Sequence, residues 1–291
     1  MPLSFGYSPC PNDTFIFCAL ANRLIDLDGL KFNVELHDVE TLNRMCRENR
    51  LDVTKISIAA YAVCRDEYEL LTSGSAIGRG CGPIIVAKPG VTLEGIREAE
   101  VAVPGLMTTA CFLFSLYAET SPNFRPMTFD RIMPAVSRGE CHYGIIIHEG
   151  RFTYKNYGLQ KLLDLGSWWE EETGLPIPLG GIAIRRRLDY NVKKKVNDLI
   201  RRSLTFASKN LLETSDYVRL HAQEMKEEII REHISLYVND FTMNLGDTGK
   251  QAIEAFIRIG AAKGLILPSK RNIFRDEDEI TSPSRRFVLV P

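Results

Sequence analysis

The sequence predicts an α/β fold with two lobes and a ligand cleft between them. Short apolar strand segments alternate with helical segments from residue 3 to about residue 184, which is the βαβα order typical of a parallel sheet. From about residue 191 onward the pattern changes to helices alone. A glycine-rich stretch at residues 74–82 interrupts the first part, and we interpret it as a loop or a hinge that lines a cleft.

The order of these segments predicts how the chain is divided. The first lobe is predicted over residues 1–90 and 183–291, and the second over residues 91–182. The chain then crosses between the lobes twice, and its C-terminal helices cover the first lobe. Two crossings describe a periplasmic-binding-protein-like architecture (type II). One long doubly wound sheet is the alternative that periodicity leaves open.

The first part of the chain begins with a strand that ends abruptly. Pro9 and Pro11 follow the strand at residues 3–8 and are expected to exclude both helix and strand pairing there. Asn12, Asp13 and Thr14 are N-cap candidates for a helix over residues 15–24. Further strands are predicted at residues 31–36, 53–58, 70–72 and 83–88, with helices at 40–47 and 59–63.

The second part continues the alternation and then gives way to the C-terminal helices. Strands are predicted at residues 101–103, 128–133, 145–148, 161–165 and 180–184, with helices at 110–118, 134–138 and 168–172. The later helices are predicted at residues 191–209, 213–224, 226–237 and 248–263. The tail from Pro268 to Pro291 has a charged segment at 275–279 and an apolar one at 287–290. That apolar segment could dock on the body or on a neighbouring molecule.

Composition excludes several classes of partner. The 291 residues include 45% hydrophobic and 25% charged side chains, and the formal net charge is -1, as in an ordinary globular protein. The chain lacks the excess of positive charge that would indicate a nucleic-acid or membrane partner. We see no secretory signal and no apolar run long enough to span a bilayer, so a cytoplasmic location is expected. The sequence does not indicate an oligomeric state.

The cysteines and histidines do not have the spacing of a metal site. The seven cysteines are odd in number and lack a C-x-x-C pair, so neither a disulfide framework nor a zinc site is predicted. The five histidines show no H-x-x-x-H spacing. The glycines at 78, 80 and 82 lead into a strand rather than a helix, which argues against a dinucleotide site. We therefore predict no metal and no dinucleotide site.

Four polar segments follow predicted strands. They are the loop at residues 8–14, the pair Lys55 and Ser57, the pair Thr108 and Thr109, and His148. Ligands of open α/β sheets bind beyond the carboxyl ends of the strands. Each segment also has a structural explanation, because serine, asparagine and threonine are common turn and cap residues and most lysines are solvated.

These residues predict a carboxylate site with a proton acceptor. His148 ends the apolar run Ile145-Ile146-Ile147, and histidine suits general-base catalysis near neutral pH. A helix opening at Thr108-Thr109 offers free backbone N–H groups, and Lys55 offers a cation; both suit a carboxylate or a developing oxyanion. Cys10 is a weak candidate nucleophile, because no histidine lies near it in the sequence. Glu149 is not expected to orient His148, since adjacent strand residues point to opposite faces.

Several segments together form a recognisable set of motifs. The most specific is Ser8-Pro9-Cys10-Pro11-Asn12-Asp13-Thr14-Phe15, followed by Asp38-Val39-Glu40-Thr41-Leu42-Asn43. The others are Thr54-Lys55-Ile56-Ser57, Val103-Pro104-Gly105 with Thr108-Thr109, Ile146-Ile147-His148-Glu149 with Arg151-Phe152-Thr153-Tyr154, and Thr173-Gly174-Leu175-Pro176. This set resembles the 1,4-dihydroxy-6-naphthoate synthases of the futalosine route to menaquinone. The resemblance runs from about residue 3 to residue 265, and nothing is transferred to the tail after Pro268.

The resemblance implies the two-lobed fold and a cofactor-free lyase. The substrate would be cyclic de-hypoxanthine futalosine, a small-molecule carboxylate, and base-initiated retro-aldol-type cleavage would give 1,4-dihydroxy-6-naphthoate and a three-carbon sugar remnant. The family's catalytic histidine falls on His148. Its substrate contacts fall on Lys55, Ile56 and Ser57 and on Thr108 and Thr109, while Asn43 and the loop at residues 8–12 would line the same pocket.

Two alternatives remain open at this point. One is the chorismate dehydratase of the same pathway, which would use the same lobes on a different carboxylate. The other is a non-catalytic small-molecule binding protein, because the architecture is shared with solute receptors and fold does not determine function.

Overall fold

The structure is a computed structural model that describes residues 1–119, 123–222 and 226–274. Most of the tail, including the segments 275–279 and 287–290 for which docking was considered, lies outside the described residues. Within the described ranges, no helix combines the length and the apolar character needed to cross a bilayer.

The described residues form two separate mixed sheets. The strands are β1 (Leu3–Tyr7), β2 (Phe32–Leu36), β3 (Val53–Ser57), β4 (Tyr68–Leu70), β5 (Ala76–Gly78), β6 (Ile84–Ala87), β7 (Glu100–Val103), β8 (Asn123–Pro126), β9 (Tyr143–Ile146), β10 (Gln160–Asp164) and β11 (Ile177–Arg185).

The first sheet has the strand order β2-β1-β3-β11-β4, with β5 also paired to β11. Strands β2, β1 and β3 run parallel, whereas β11 is antiparallel to its neighbours and matches Gly180 to Ser57 and Ile184 to Val53. Every residue of β3 is buried. This sheet and the elements packed on it are called the first lobe below.

The second sheet has the order β10-β6-β9-β7-β8, and we call the unit built on it the second lobe. Strands β7 and β9 are parallel, while β6 is antiparallel to both β9 and β10. The prediction of a parallel sheet is therefore wrong for β6 and β10. Strand β6 belongs to this second sheet, whereas the predicted first lobe extended to residue 90. Strand β11 belongs to the first sheet, whereas the predicted second lobe extended to residue 182. At each crossing, the predicted lobe boundary therefore differs from the sheet boundary by one strand.

Helices cover both sheets. They are α1 (Pro11–Ala21), α2 (Val39–Arg47), α3 (Ile58–Cys64), α4 (Thr109–Ala118), α5 (Phe129–Arg138), α6 (Gly150–Thr153), α7 (Leu165–Thr173), α8 (Tyr190–Lys209), α9 (Leu211–His221), α10 (Glu227–Tyr237), α11 (Asp240–Met243) and α12 (Gly246–Ala262), with a 3₁₀ turn at Tyr154–Tyr157.

The C-terminal helices return to the first lobe, as the sequence pattern predicts. Helix α8 packs on α1 and contributes Leu199 and Ile200 to an apolar cluster with Phe5 and Val53. A larger apolar cluster runs from α3 of the first lobe through α4 to α12. Because burial of apolar surface is the dominant favourable term in folding, this larger cluster, which is shared between the lobes, stabilises their association.

Two local predictions are wrong for identifiable reasons. Helix α1 begins at Pro11 rather than residue 15, because proline is tolerated at the first helical position, where its missing N–H has no intrahelical partner. Residues 129–138 are helix α5 rather than a strand followed by a helix, and the strand is β8, just before them. Ile132, Met133 and Val136 are buried on one face of α5, which is a helical spacing.

Candidate functional site

The predicted site residues line one cleft between the two lobes. It encloses about 670 Å³ of space, including its mouth. Lys55, Ile56, Ser57, Thr108, Thr109 and His148, together with Ser8, Asn12 and Asp13, all line it. The structure therefore brings together the segments that sequence reasoning selected, with the exception of Asn43, which is not among the residues that line the cleft.

Strand direction explains this convergence. Strands β1 and β3 are parallel and end at Tyr7 and Ser57, so the segments that follow β1 and β3 leave the same edge of the first sheet. Strands β7 and β9 are likewise parallel and lead to Thr108 and His148. The two edges face each other, which makes the cleft the meeting place of four strand ends.

His148 lies two residues beyond β9, in a turn rather than in the strand. Its φ of 56° is left-handed, a conformation that is uncommon for residues other than glycine but several-fold enriched in asparagine, aspartate and histidine. Phe129 stacks on the imidazole with ring centroids 5.2 Å apart and planes 16° apart. The backbone and the phenyl ring together hold the imidazole at the cleft.

Cys10 contacts His148 from the opposite lobe. Its Sγ lies 2.8 Å from Nδ1 of His148, although 138 residues separate them in the sequence. Burial raises the pKa of the Cys10 thiol well above its usual value, and the nearby Glu149 charge adds to this. Burial lowers the pKa of His148, partly opposed by Glu149 and Asp13. At neutral pH the pair is therefore a thiol beside a neutral imidazole.

Asp13 collects the hydrogen bonds at the floor of the cleft. It accepts from Ser8 through the backbone N–H at 3.2 Å and Oγ at 2.7 Å, and from Asn12 Nδ2 at 2.9 Å. Lys55 Nζ donates to Asp13 Oδ1 at 2.8 Å, with both side chains less than a tenth exposed. Contrary to its predicted role as a N-cap, Asp13 balances the charge of Lys55.

Lys55 is consequently not a free cation. Its ammonium also donates to the carbonyl of Gly74 at 3.4 Å, so two of its three protons are engaged. We expected Lys55 to provide the positive charge for a carboxylate. In the structure it can offer a ligand only its one remaining N–H, at the cleft wall.

Ser57 and Asn43 form a second fixed pair. Asn43 Oδ1 accepts from the Ser57 backbone N–H at 3.0 Å, and Asn43 Nδ2 donates to Ser57 Oγ at 3.1 Å. The serine hydroxyl proton makes no further contact within the described residues, so it is available to a ligand. Ile56 contributes apolar surface to the same wall.

The hydroxyl groups of Thr108 and Thr109 are engaged in the protein itself. Thr108 Oγ1 donates to Gly105 O at 2.7 Å and accepts from Cys111 N at 3.2 Å, which caps α4. Thr109 Oγ1 donates to Leu179 O at 2.7 Å. The amides of Thr109 and Ala110 have no partner inside the helix. The first turn of α4 therefore offers backbone N–H groups rather than hydroxyls.

Sequence reasoning missed one side of the cleft, which α10 provides. His233 and Tyr237 lie one turn apart on this helix and line the cleft. Burial lowers the pKa of His233 well below its usual value, with repulsion from His148 and Lys55 in addition. The only sequence signal is a histidine and a tyrosine, at i and i+4, on the same face as Ile230, a pattern that is also typical of a packed core.

Glu149 has a different position from the one that strand alternation implies. It precedes α6 in a turn, so the alternation rule does not apply to it. As predicted, it makes no hydrogen bond to His148 within the described residues. Its Oε2 instead lies 3.7 Å from Nδ1 of His233. In the described ranges, no group of three or more His, Cys, Asp or Glu side chains is arranged to hold a metal ion.

The cleft between two mixed sheets defines a periplasmic-binding-protein-like fold. Among solved structures, the chain is similar to the alkanesulfonate-binding protein SsuA from Xanthomonas axonopodis pv. citri bound to MOPS, with a TM-score of 0.67 at 12% identity over 92% of this chain and 94% of that one. It is also similar to protein AF1704 from Archaeoglobus fulgidus, with a TM-score of 0.85 at 37% identity over 91% and 98% of the two chains.

Residues 3–262 match the menaquinone biosynthesis family, and the chain belongs to that family. It is 48% identical to the 1,4-dihydroxy-6-naphthoate synthase of Thermus thermophilus over 94% of this chain and 98% of that protein. It is 42% identical to the enzyme of the same name from Streptomyces coelicolor, over 91% and 94%. The resemblance inferred from the sequence motifs is confirmed.

Proposed function

We propose that this protein is a lyase that converts cyclic de-hypoxanthine futalosine to 1,4-dihydroxy-6-naphthoate and a three-carbon unit, without a cofactor. Membership of the menaquinone biosynthesis family and the names of two close relatives support the proposal. The observation that carries it is His148, a neutral imidazole at the cleft whose Nε2 makes no hydrogen bond within the described residues.

His148 is the general base in this proposal. When Nδ1–H donates to Cys10 Sγ, Nε2 keeps the lone pair that a base requires, and Cys10 is a positioning residue. In the opposite arrangement the thiol donates to Nδ1 and Nε2 carries a proton. Because burial raises the pKa of Cys10, both arrangements keep the sulfur neutral, and a substrate hydroxyl at Nε2 selects the first.

The reaction step balances without an oxidant or a reductant. Nε2 removes the proton of a hydroxyl in the sugar-derived part, the C–O bond becomes a carbonyl, and the adjacent carbon–carbon bond breaks. The electron pair of that bond passes to a ring carbonyl as an enolate, which receives a proton and becomes an aromatic hydroxyl. Aromatisation of the bicyclic ring supplies the driving force.

The remaining donors of the cleft hold the substrate. The first-turn amides of α4, the Ser57 hydroxyl proton and the third proton of Lys55 are positioned to bind the carboxylate or a developing oxyanion. The buried Lys55–Asp13 pair contributes little net charge of its own, so binding depends on oriented donors rather than on a free cation.

The test is turnover of purified protein with cyclic de-hypoxanthine futalosine, followed by the mass of dihydroxynaphthoate. The variant His148→Asn should lower kcat about 10²–10⁴-fold, the usual contribution of a general base, and asparagine tolerates the left-handed backbone of this position. His142→Asn, at an exposed position, is the matched control and should keep the wild-type rate. A near-wild-type rate for His148→Asn contradicts the assignment. Turnover of chorismate instead identifies the dehydratase, and tight binding without turnover identifies a binding protein.

A further inference from the structure

Glu40 of the first lobe holds the loop that leads into α4 of the second lobe. It lies in the first turn of α2, and the backbone N–H of Met107 donates to both of its carboxylate oxygens, over N···O distances of 3.2 Å each. The carboxylate is packed so closely on this loop that a Cβ on Gly105 would lie 2.4 Å from Glu40 Cδ. This hydrogen bond therefore ties the two lobes together just before the first turn of α4.

Asn43, one turn further along α2, holds the same loop and Ser57. Its Oδ1 accepts from the Ser57 backbone N–H, so Nδ2 is the donor end of this amide. Nδ2 lies 3.1 Å from Ser57 Oγ and 3.4 Å from both Met107 O and Glu40 Oε2. Met107 is thus held through its N–H by Glu40 and through its carbonyl by Asn43.

The position of both side chains on α2 is itself fixed. Asp38 caps the helix, because its Oδ1 accepts from the backbone N–H groups of Glu40 at 3.0 Å and Thr41 at 3.1 Å. Leu42 is fully buried in a small apolar cluster. Neither Glu40 nor Asn43 lines the cleft. This motif, which the sequence analysis selected, therefore supports the groups that line the cleft and does not itself contact a ligand.

We propose that Glu40 and Asn43, here called the α2 clamp, are positioning residues that hold the carboxylate donors of the two lobes at a fixed separation. Ser57 belongs to the first lobe, whereas the first-turn amides of α4 belong to the second. The α2 clamp contacts Ser57 directly and reaches those amides through Met107. The identity of the ligand rests on the proposed function, whereas the contact between the lobes does not.

The α2 clamp also determines the direction of the Ser57 hydroxyl. Because Asn43 Nδ2 donates to Ser57 Oγ, the serine oxygen is the acceptor of that bond and its own proton remains for a ligand. A carboxylate that spans the cleft meets this proton on one side and the amides of α4 on the other. Binding groups contribute fully only when they are held in the right geometry together, and the α2 clamp provides that geometry.

Hydrogen exchange of the Met107 amide tests the α2 clamp without a ligand. Glu40→Ala removes both acceptor oxygens, so we expect this amide to exchange about tenfold faster relative to the amides of β3, the effect of one lost hydrogen bond. Glu40→Gln retains an oxygen that can accept from Met107 and should restore most of the protection. Glu48→Ala, at the exposed C-terminal end of the same helix, is the matched control and should have no effect. Exchange at Met107 that is no faster in Glu40→Ala overturns the α2 clamp.

Two compounds that differ only in the carboxylate test what the α2 clamp positions. Glu40→Ala should weaken binding of 1,4-dihydroxy-6-naphthoate about tenfold, the equivalent of one lost donor. Binding of 1,4-dihydroxynaphthalene, which has the same rings without the carboxylate, should be unchanged. Equal weakening of both compounds indicates general damage to the cleft and overturns the positioning role. If the wild-type protein binds neither compound, the proposed function fails, and the positioning of a carboxylate fails with it, while exchange at Met107 still decides whether the contact between the lobes exists.

Steady-state kinetics with cyclic de-hypoxanthine futalosine supply the third readout. A carboxylate remote from the reacting bond is bound equally in the ground state and the transition state, so its loss raises KM and leaves kcat unchanged. We therefore expect Glu40→Ala to raise KM about tenfold, again the effect of one lost donor, with kcat nearly unchanged. Glu40→Gln should recover most of the loss. A lower kcat with an unchanged KM overturns the proposal, because Glu40 would then act on the reacting groups rather than on carboxylate binding.

Discussion

Cys10 Sγ lies 2.8 Å from Nδ1 of His148, so the loop that precedes α1 in the first lobe reaches the candidate base of the second. The thiol is 6% exposed, and burial keeps its pKa well above the usual value. A neutral thiol is a poor nucleophile, but its sulfur can still accept a hydrogen bond from Nδ1–H of His148. The contact therefore indicates a positioning role for Cys10 rather than covalent catalysis.

Substitution of Cys10 separates these two roles. We expect Cys10→Ala to lower kcat about tenfold, because an unsupported imidazole loses its orientation and tautomer, in the range seen for groups that orient a functional histidine. Cys10→Ser should recover most of that loss, since a hydroxyl also accepts from Nδ1–H. If both variants instead lose nearly all activity, and intact mass spectra show a substrate adduct on the wild-type thiol, then Cys10 is a nucleophile.

The two buried histidines make the folded state sensitive to acid. Burial lowers the pKa of both His148 and His233 in the folded protein, while in the unfolded chain each returns to about 6.5. Below about pH 6.5 the unfolded chain binds more protons than the folded protein, so acid favours unfolding. The free energy of unfolding is therefore unaffected by these histidines above about pH 6.5 and decreases as the pH falls below it. Each histidine contributes a slope of about 1.4 kcal/mol per pH unit.

Urea unfolding between pH 7.5 and 5.5 measures this slope. His233→Gln should flatten the dependence of the free energy of unfolding on pH by the contribution of one histidine. An unchanged slope in that variant shows that His233 is already protonated in the folded state.

The Lys55–Asp13 pair is expected to stabilise the protein only as a pair. Lys55→Met leaves the carboxylate of Asp13 buried without its cation, and loss of one member of a buried pair typically costs about 3–5 kcal/mol. Lys55→Met combined with Asp13→Asn should recover part of that loss. Lys263→Met is the matched control, because its partner Glu119 is exposed and surface pairs contribute about 0–1 kcal/mol. A Lys55→Met variant as stable as this control contradicts the prediction.

Gly82 is required for the contact between the loop at residues 79–83 and the start of α7. A Cβ on Gly82 would lie 2.3 Å from the Cα of Gly166, a backbone atom that cannot rotate away. We expect Gly82→Ala to destabilise the protein by about 1–3 kcal/mol through overpacking and to displace Cys81 and Pro83, which line the cleft.

Gly80→Ala provides the comparison. This position has open space around it but a φ of 66°, so the substitution should cost about 1 kcal/mol from backbone strain alone. Melting curves of the two variants show whether the steric contact at Gly82 costs more stability than the backbone strain at Gly80. A smaller loss for Gly82→Ala than for Gly80→Ala contradicts the prediction.

Local patterns predicted the part of the site that follows strand ends. Lys55 and Ser57 lie toward the carboxyl end of β3, whereas Thr108 and His148 follow β7 and β9. The rule that ligands bind at carboxyl ends was sufficient to bring them together. The cysteine–histidine contact could not be predicted, because it depends on how two lobes face each other. His233 was missed for the same reason, since only tertiary packing decides whether a buried helical histidine meets solvent, core or ligand.

The strand errors have a different origin. Residues 128–133 mix apolar and polar side chains in a run too short to distinguish a helix from a strand by periodicity. Sheet direction is also not encoded locally, because β6 and β11 are apolar in the way that buried strands of either direction are. Their antiparallel pairing follows from where the chain crosses between the lobes.

The position of β11 between β3 and β4 has a consequence for biosynthesis. Strand β3 is complete by residue 57, but its second neighbour ends at Arg185, after the whole second lobe has been made. A nascent chain that folds from its N-terminus therefore carries an open strand edge, which is fully buried in the finished fold, through the translation of more than a hundred residues. The unpaired backbone groups of an open strand edge attract other chains, so ribosome-bound fragments that end before β11 should be the aggregation-prone and chaperone-dependent species of this protein.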